Sequence, residues 1–202
     1  MADIVVILLA AGFSHRMGSV NKLLLPIDGI ALLRRTAEML AALPHVSVNV
    51  VLGHESQKTV EALTGLNVAH TINPDYAEGL SSSVFHGLSS AGLAKSYMIT
   101  PADMPRLMSA DCLALLEAHR SAPDGAVTVP MRLGLNGPQR GNPIILSGAA
   151  REMVIAGDIN LGCRELLRRR PELIHEYRTN SSGFFIDIDT PQDYSDETRS
   201  RL

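Results

Sequence analysis

Tryptophan is absent from this 202-residue chain, and four tyrosines and four phenylalanines make up its whole aromatic content. Rings so few and so scattered build no platform for stacked bases, and a formal net charge of −3 supplies no field for a polyanionic backbone. Both features speak against a nucleic-acid partner. Cysteine is scarce too: Cys112 and Cys163 could form one bridge at most and show no CxxC spacing, which predicts reduced, structural thiols rather than a disulfide framework or a zinc site. The histidines contain no HExxH and no compact ligand cluster, which argues against zinc hydrolysis. Long apolar runs are missing. The longest, Ile4 to Ala11, is too short to span a bilayer, and Asp3 stands where a signal peptide would be positive. The expectation is a cytoplasmic protein with no membrane partner. Linkers, low-complexity tracts and internal repeats are not found, and the length suits a single domain over residues 1–202.

What is present is an alternation of short β-branched runs with longer amphipathic segments, the pattern of strand and helix units wound into a mostly parallel sheet. The unbroken apolar run DIVVILL, residues 3 to 9, predicts a central strand covered on both faces. A glycine-containing loop follows, then a helix over 31 to 43 ending before Pro44, and a strand over 46 to 53. Further expectations are a helix from Ser56 to about Leu63, a strand over 66 to 72, a helix over 80 to 91, a strand ending at Thr100 and a helix opening at Ser109. AVTVP reads as another strand, and LGLNGPQRGNPIIL as a glycine-rich excursion returning as a strand, a hairpin outside the main sheet. Helices over about 148 to 156 and 161 to 169 come next. FFIDID, 184 to 189, reads as the last strand, and Pro191 opens a terminal helix. The fold class is therefore α/β, a Rossmann-like three-layer sandwich with a mostly parallel sheet and a small hairpin excursion, with ligand-binding loops at the strand ends.

Two groups of residues point to chemistry. In LLAAGFSHRMGSVNKLLLP, Ala10, Ala11, Gly12 and Gly18 let backbone N–H groups approach a ligand closely, and Arg16 and Lys22 add two positive charges suited to a triphosphate. The stretch is neither GxGxxG nor GxxxxGK[ST]. Ser14 beside His15 lacks the GxSxG elbow of a nucleophilic serine. The second group is acidic. Asp103, in PADMP, sits just past a strand end, where a carboxylate can hold magnesium against phosphate oxygens, and the period of two in FIDID turns Asp187 and Asp189 to one side. A turn or cap role remains the competing reading of each aspartate. Arg164, Arg168, Arg169 and Arg170 read as a solvated helix end, with contact to an anionic acceptor as the alternative.

Together these residues resemble the MobA-like nucleotidyltransferase family, and most closely its molybdenum cofactor cytidylyltransferase branch. The opening loop is similar to the signature AAGxSxRMGxxKLL with one extra residue before the lysine, and NPDYAEGLSSSVFHGL, ADMP, RGNPIIL and DIDTPQDY match further family blocks in the same order. The resemblance implies the fold of the nucleotide-diphospho-sugar transferases and a magnesium-dependent transfer of a nucleoside monophosphate to the phosphate of a molybdopterin-type acceptor, with release of pyrophosphate. It further implies that Ala10, Ala11, Gly12, Ser14, Arg16, Gly18, Lys22 and Ser83 bind the nucleotide. Arg16, Lys22 and Asp103 carry catalysis in this picture, and Asp103 with Asp189 or Asp187 holds Mg2+. Arg140, Asn142 and Arg164 would face the acceptor, and a molybdenum hydroxylase would be the client. Ala11, where guanylyl-transferring relatives tend to have glycine, favours CTP as donor. GDINLGCR and Asn142 depart from the branch pattern on the acceptor side. A different phosphorylated acceptor is one alternative; a noncatalytic module that binds and delivers the cofactor is another.

Overall fold

The structure is a computed structural model that describes residues 3–135, 137–157 and 170–201. In chain order the strands are β1 (Ile4–Ala10), β2 (Pro26–Ile27), β3 (Ile30–Ala31), β4 (Val46–Leu52), β5 (Ala69–Ile72), β6 (Ser96–Pro101), β7 (Val127–Gly134), β8 (Gly137–Arg140), β9 (Ile144–Ser147) and β10 (Ile174–Arg178). The described helices are α1 (Leu32–Ala41), α2 (Ser56–Ala62), α3 (Leu80–Ser90), α4 (Ser109–Arg120), α5 (Gly148–Ile155) and α6 (Pro191–Arg199).

One mixed sheet runs β10-β7-β9-β6-β1-β4-β5, with β8 paired to β7. β1 lies between β4 and β6 and is parallel to both. Only β8 and β9 oppose the rest: β9 is antiparallel to β6 and β7, so β7 and β10 again point their carboxyl ends the same way as β1. All the parallel strands therefore open onto one edge of the sheet. Alternation along β1 supplies both layers of the core. Val6, Leu8 and Ala10 face α1 and α4, while Val5, Ile7 and Leu9 face α3 and α5. Burial of the valine, leucine and isoleucine side chains among them contributes roughly 1.5–3 kcal/mol each. α3 sits unusually close to the sheet, because a Cβ on Gly87 would stand 2.5 Å from Ile7 Cγ2.

Two sequence expectations are corrected. The return strand of the 133–146 excursion is not outside the main sheet: β9 lies within it, between β6 and β7, and only β8 extends the β7 hairpin beyond the ladder. FFIDID is not a strand. Ser182–Phe184 forms a 3-10 turn and 186–189 runs as irregular chain across the carboxyl edge of the sheet. The place beside β7 belongs instead to Ile174–Arg178, paired in parallel from Val127 to Met131. The helix expected over 161–169 lies outside the described residues.

Candidate active site

The chain leaves β1 at Ala10 and folds into a loop braced by its own polar groups. Ser14, at φ 57°, opens a 3-10 turn over His15–Met17, and the Met17 N–H donates to the Ser14 carbonyl at 2.8 Å. Met17 and Leu23 are buried and anchor the two halves of the loop. Buried Asn21 caps the second turn, its Oδ1 accepting from Leu23 N at 3.1 Å. The Lys22 amide donates to Ser14 Oγ at 3.3 Å, closing the loop on itself. Anchored this way, the Lys22 side chain turns back toward the strand tips.

There it meets two carboxylates from distant parts of the chain. Lys22 Nζ lies 2.5 Å from Asp103 Oδ2 and 2.9 Å from Asp189 Oδ1, and an Arg16 guanidinium nitrogen lies 2.7 Å from Asp189 Oδ2. Asp103 follows β6; Asp189 precedes α6. The two acidic segments are tied directly, since Ile188 N donates to the Asp103 carbonyl at 3.0 Å. Behind Asp189, a capping box fixes the start of α6: Asp193 Oδ2 accepts from Thr190 N at 2.7 Å and from Asp189 N at 3.1 Å, and Thr190 Oγ1 accepts from Asp193 N. Farther along α6, buried Glu197 accepts from Arg106 Nε at 2.6 Å and from Arg201 Nε at 2.8 Å. This brace joins the Asp103 turn to the terminal helix. Sequence reasoning missed it, because a pairing across 91 positions leaves no local signal.

Charge in this cluster is tightly coupled. Burial works against the Lys22 ammonium, yet the adjacent Asp103 and Asp189 carboxylates outweigh it and hold its pKa above the usual lysine value. Asp187 moves the other way for an acid. Desolvation, reinforced by the like charges of Asp103 and Asp189, raises its pKa. Asp103 Oδ1 is buried and has no hydrogen-bond partner among the described residues.

Lys22, Arg16, Asp103 and Asp189 border a cavity of about 460 Å3. Of the nucleotide residues expected from the sequence, Ala11, Gly12, Ser14, Arg16, Lys22 and Ser83 line it; Ala10 and Gly18 do not. A Cβ on Gly12 would meet nothing within 4 Å, so the backbone there faces open space. Buried Ser83 is held by Asn73, whose Nδ2 donates to Ser83 Oγ at 3.1 Å. Asp103 and Asp189 line the same cavity, whereas Asp187 does not. Arg140 and Asn142 sit on and after β8, outside this lining; the Asn142 N–H donates to the Phe184 carbonyl. Arg164 lies outside the described residues.

An aromatic cluster on the cavity wall was not read from the sequence. Phe13 stacks on His15 at 4.7 Å between centroids and packs against Tyr76 at 4.9 Å and His54 at 5.2 Å. Tyr76 in turn packs against Gly53, where a Cβ would stand 2.7 Å from the tyrosine and 2.8 Å from the Ala11 carbonyl. Because His54 N donates to that same Ala11 oxygen at 3.1 Å, the end of β4 buttresses the loop after β1.

Comparisons with known proteins bear on the family and the fold. The model of the MobA-like NTP transferase domain matches residues 6–174. The chain is 28% identical over 190 residues to the nicotine blue oxidoreductase of Paenarthrobacter nicotinovorans, covering 91% of each protein. It is 26% identical to a probable molybdenum cofactor guanylyltransferase of Natronomonas pharaonis, covering 97% of this chain and 96% of that one. Its fold superposes with a TM-score of 0.82 on the Mycobacterium sp. strain JC1 homologue of Rv0371c, at 23% identity over 98% of this chain and 96% of the other. The architecture is that of nucleotidyltransferases of the nucleotide-diphospho-sugar transferase fold. Because the family match spans most of its length, the chain belongs to the MobA-like NTP transferase domain family.

Proposed function

We propose that this nucleotidyltransferase moves a nucleoside monophosphate, CMP from CTP, onto the phosphate of a molybdopterin-type acceptor. The observation that carries the reading is the convergence of Lys22, Arg16, Asp103 and Asp189 on one cavity bordered by the open backbone of Gly12. A pure delivery module has no use for two cations and two carboxylates set this way.

No side chain need act as base. A phosphate monoester has its second pKa near about 6 and is mostly a dianion at neutral pH, already a competent nucleophile. Its oxygen forms the new bond to the α-phosphorus as the bond from that phosphorus to the bridging oxygen breaks, and pyrophosphate leaves with the electron pair. What the protein must supply is electrostatic. Arg16, with its planar fork, suits a pair of phosphate oxygens, and Lys22 can follow negative charge onto the departing group.

The residues fit magnesium. Asp103 Oδ1 is a buried carboxylate oxygen with no partner among the described residues, beside Asp189. No group of three or more His, Cys, Asp or Glu is placed to enclose a metal among the described residues, so Asp103 and Asp189 would share the ion with phosphate oxygens. Bound there, Mg2+ supplies positive charge against the triphosphate.

Support for CTP comes from Ala11, which borders the cavity; the Natronomonas relative is named a guanylyltransferase, so the two donors belong in one assay. The test is pyrophosphate release from each of the four nucleoside triphosphates with magnesium and molybdopterin. Expected is release with CTP, together with a cytidine dinucleotide form of the acceptor. Release with GTP alone overturns the donor assignment. Binding without turnover across a panel of phosphorylated pterins overturns transfer and leaves delivery. Because one relative is named an oxidoreductase, the purified protein is also scanned for a bound chromophore, whose presence would favour redox chemistry.

A further inference from the structure

The arrangement of Lys22 raises a question that nucleotide transfer alone does not answer: its ammonium lies in hydrogen-bonding contact with the same two carboxylates that suit a divalent ion. Its side chain is only 14% exposed and those of Asp103 and Asp189 are 16% and 27% exposed, so solvent screens this group weakly. Arg16 takes the other oxygen of Asp189. Of the four oxygens on the pair, only Asp103 Oδ1 is left without a partner among the described residues.

We infer that Lys22 is the internal counter-ion of the Asp103–Asp189 pair, and that it keeps a divalent ion out until a polyphosphate draws it away. The physical reason is charge balance. Lys22 and Arg16 already neutralise Asp103 and Asp189, and a divalent ion entering beside the ammonium would meet like charge at contact distance. A triphosphate changes the balance by offering the two cations a better anion. Once Lys22 and Arg16 turn to phosphate, the carboxylates lose their partners and become ligands for the ion. Nucleotide and ion therefore bind with positive coupling that runs through Lys22, reciprocal by thermodynamic necessity. This inference rests on the functional reading above, because it takes the polyanion to be a nucleotide.

The experiment uses the full chain without nucleotide and reads Mn2+ binding by electron paramagnetic resonance and by thermal melting, so activity is not the readout. Wild type is expected to bind Mn2+ weakly and to melt at nearly the same temperature with and without it. In Lys22→Met the carboxylates lack their counter-ion; Mn2+ should bind about tenfold more tightly than to wild type, within the usual span of coupling between sites. The ion should also raise the melting temperature by mass action. Adding Asp103→Asn to Lys22→Met should abolish both gains. Equal Mn2+ affinity in wild type and Lys22→Met overturns the inference, as does a gain that survives Asp103→Asn. Should Lys22→Met fold poorly, Lys22→Gln, which keeps a hydrogen-bonding end without the charge, replaces it. If neither folds alone, recovery on adding Mn2+ supports the inference and continued unfolding overturns it. Calorimetric titration of wild type with CTP separates the two levels: absent nucleotide binding removes the functional reading, while the Mn2+ comparison still reports on Lys22.

Discussion

Lys22 is held by its neighbours in a state that suits its proposed work. Burial alone would depress an ammonium, but Asp103 and Asp189 keep it charged, so a full positive charge faces the cavity at any physiological pH. Such a charge helps most where negative charge grows during the reaction. Lys22→Ala is therefore expected to lower kcat on the order of 10²–10³-fold while weakening nucleotide affinity much less, the range seen when a charge-stabilising donor is removed. Steady-state kinetics alongside equilibrium nucleotide binding checks the split, and equal losses in both, or none, would argue against that role. Asp103→Asn makes a different change. The amide keeps the shape of the side chain and removes the charge that holds a hard cation, so half-maximal activity should require more magnesium. A magnesium titration that superposes on the wild-type curve would take Asp103 out of the metal site.

At the level of elements, the loop after β1 is shaped as much by β4 as by its own sequence. Tyr76 lies on Gly53, and the Gly53 position has no room for a Cβ beside the tyrosine and the Ala11 carbonyl. Gly53→Ala must push Tyr76 or the Ala11–Gly12 backbone away, at about 1–3 kcal/mol for an overpacked site. The expected result is a lower melting temperature together with a raised KM for the nucleotide, while Gly65→Ala, at a glycine with φ +83° and open space around it, should lower stability without moving KM. This buttress could not be read from the chain, since Gly53 and Tyr76 meet only in three dimensions. What could be read were elements whose periodicity has one interpretation. α1 shows apolar residues at Leu32, Leu33, Ala37 and Leu40 on one face, and β1 is apolar throughout because both its faces are covered. FIDID misled for a physical reason. Ile188 is buried between two more accessible aspartates, as in a strand, but its N–H donates to the Asp103 carbonyl and not to a ladder. Side-chain alternation reports which side of an extended chain is covered; it does not report where the backbone hydrogen bonds go. The same extended run nonetheless brings Asp189 to the strand tips, which is why the site was legible where the element was not.

Across the described residues, the sheet joins a half that carries the candidate site, built on β1, β4 and β6, to a second half built on β7, β9 and β10, and the second half carries a titratable joint. His119 of α4 is buried, and its Nδ1 lies 2.7 Å from Thr128 Oγ1 on β7; His175 stands directly across from Thr128 on β10. Desolvation first, and then the positive charge that His175 can carry, lowers the His119 pKa below its usual 6.5. The sign of the stability effect follows from linkage. As pH falls through 6.5 the unfolded chain takes up a proton at this position while the folded chain does not, so the unfolded state binds more protons and stability falls. The loss continues until pH passes the lowered folded pKa, below which both states are protonated and this contribution is flat. Melting temperatures recorded from pH 7.5 down to pH 5, on the order of the window in which histidine titrates, should therefore decline in wild type. His119→Gln removes the group that titrates and keeps a polar end near Thr128, so its curve should start lower and slope less over the same interval. Parallel curves for the two proteins would show that the acid sensitivity of the fold arises elsewhere.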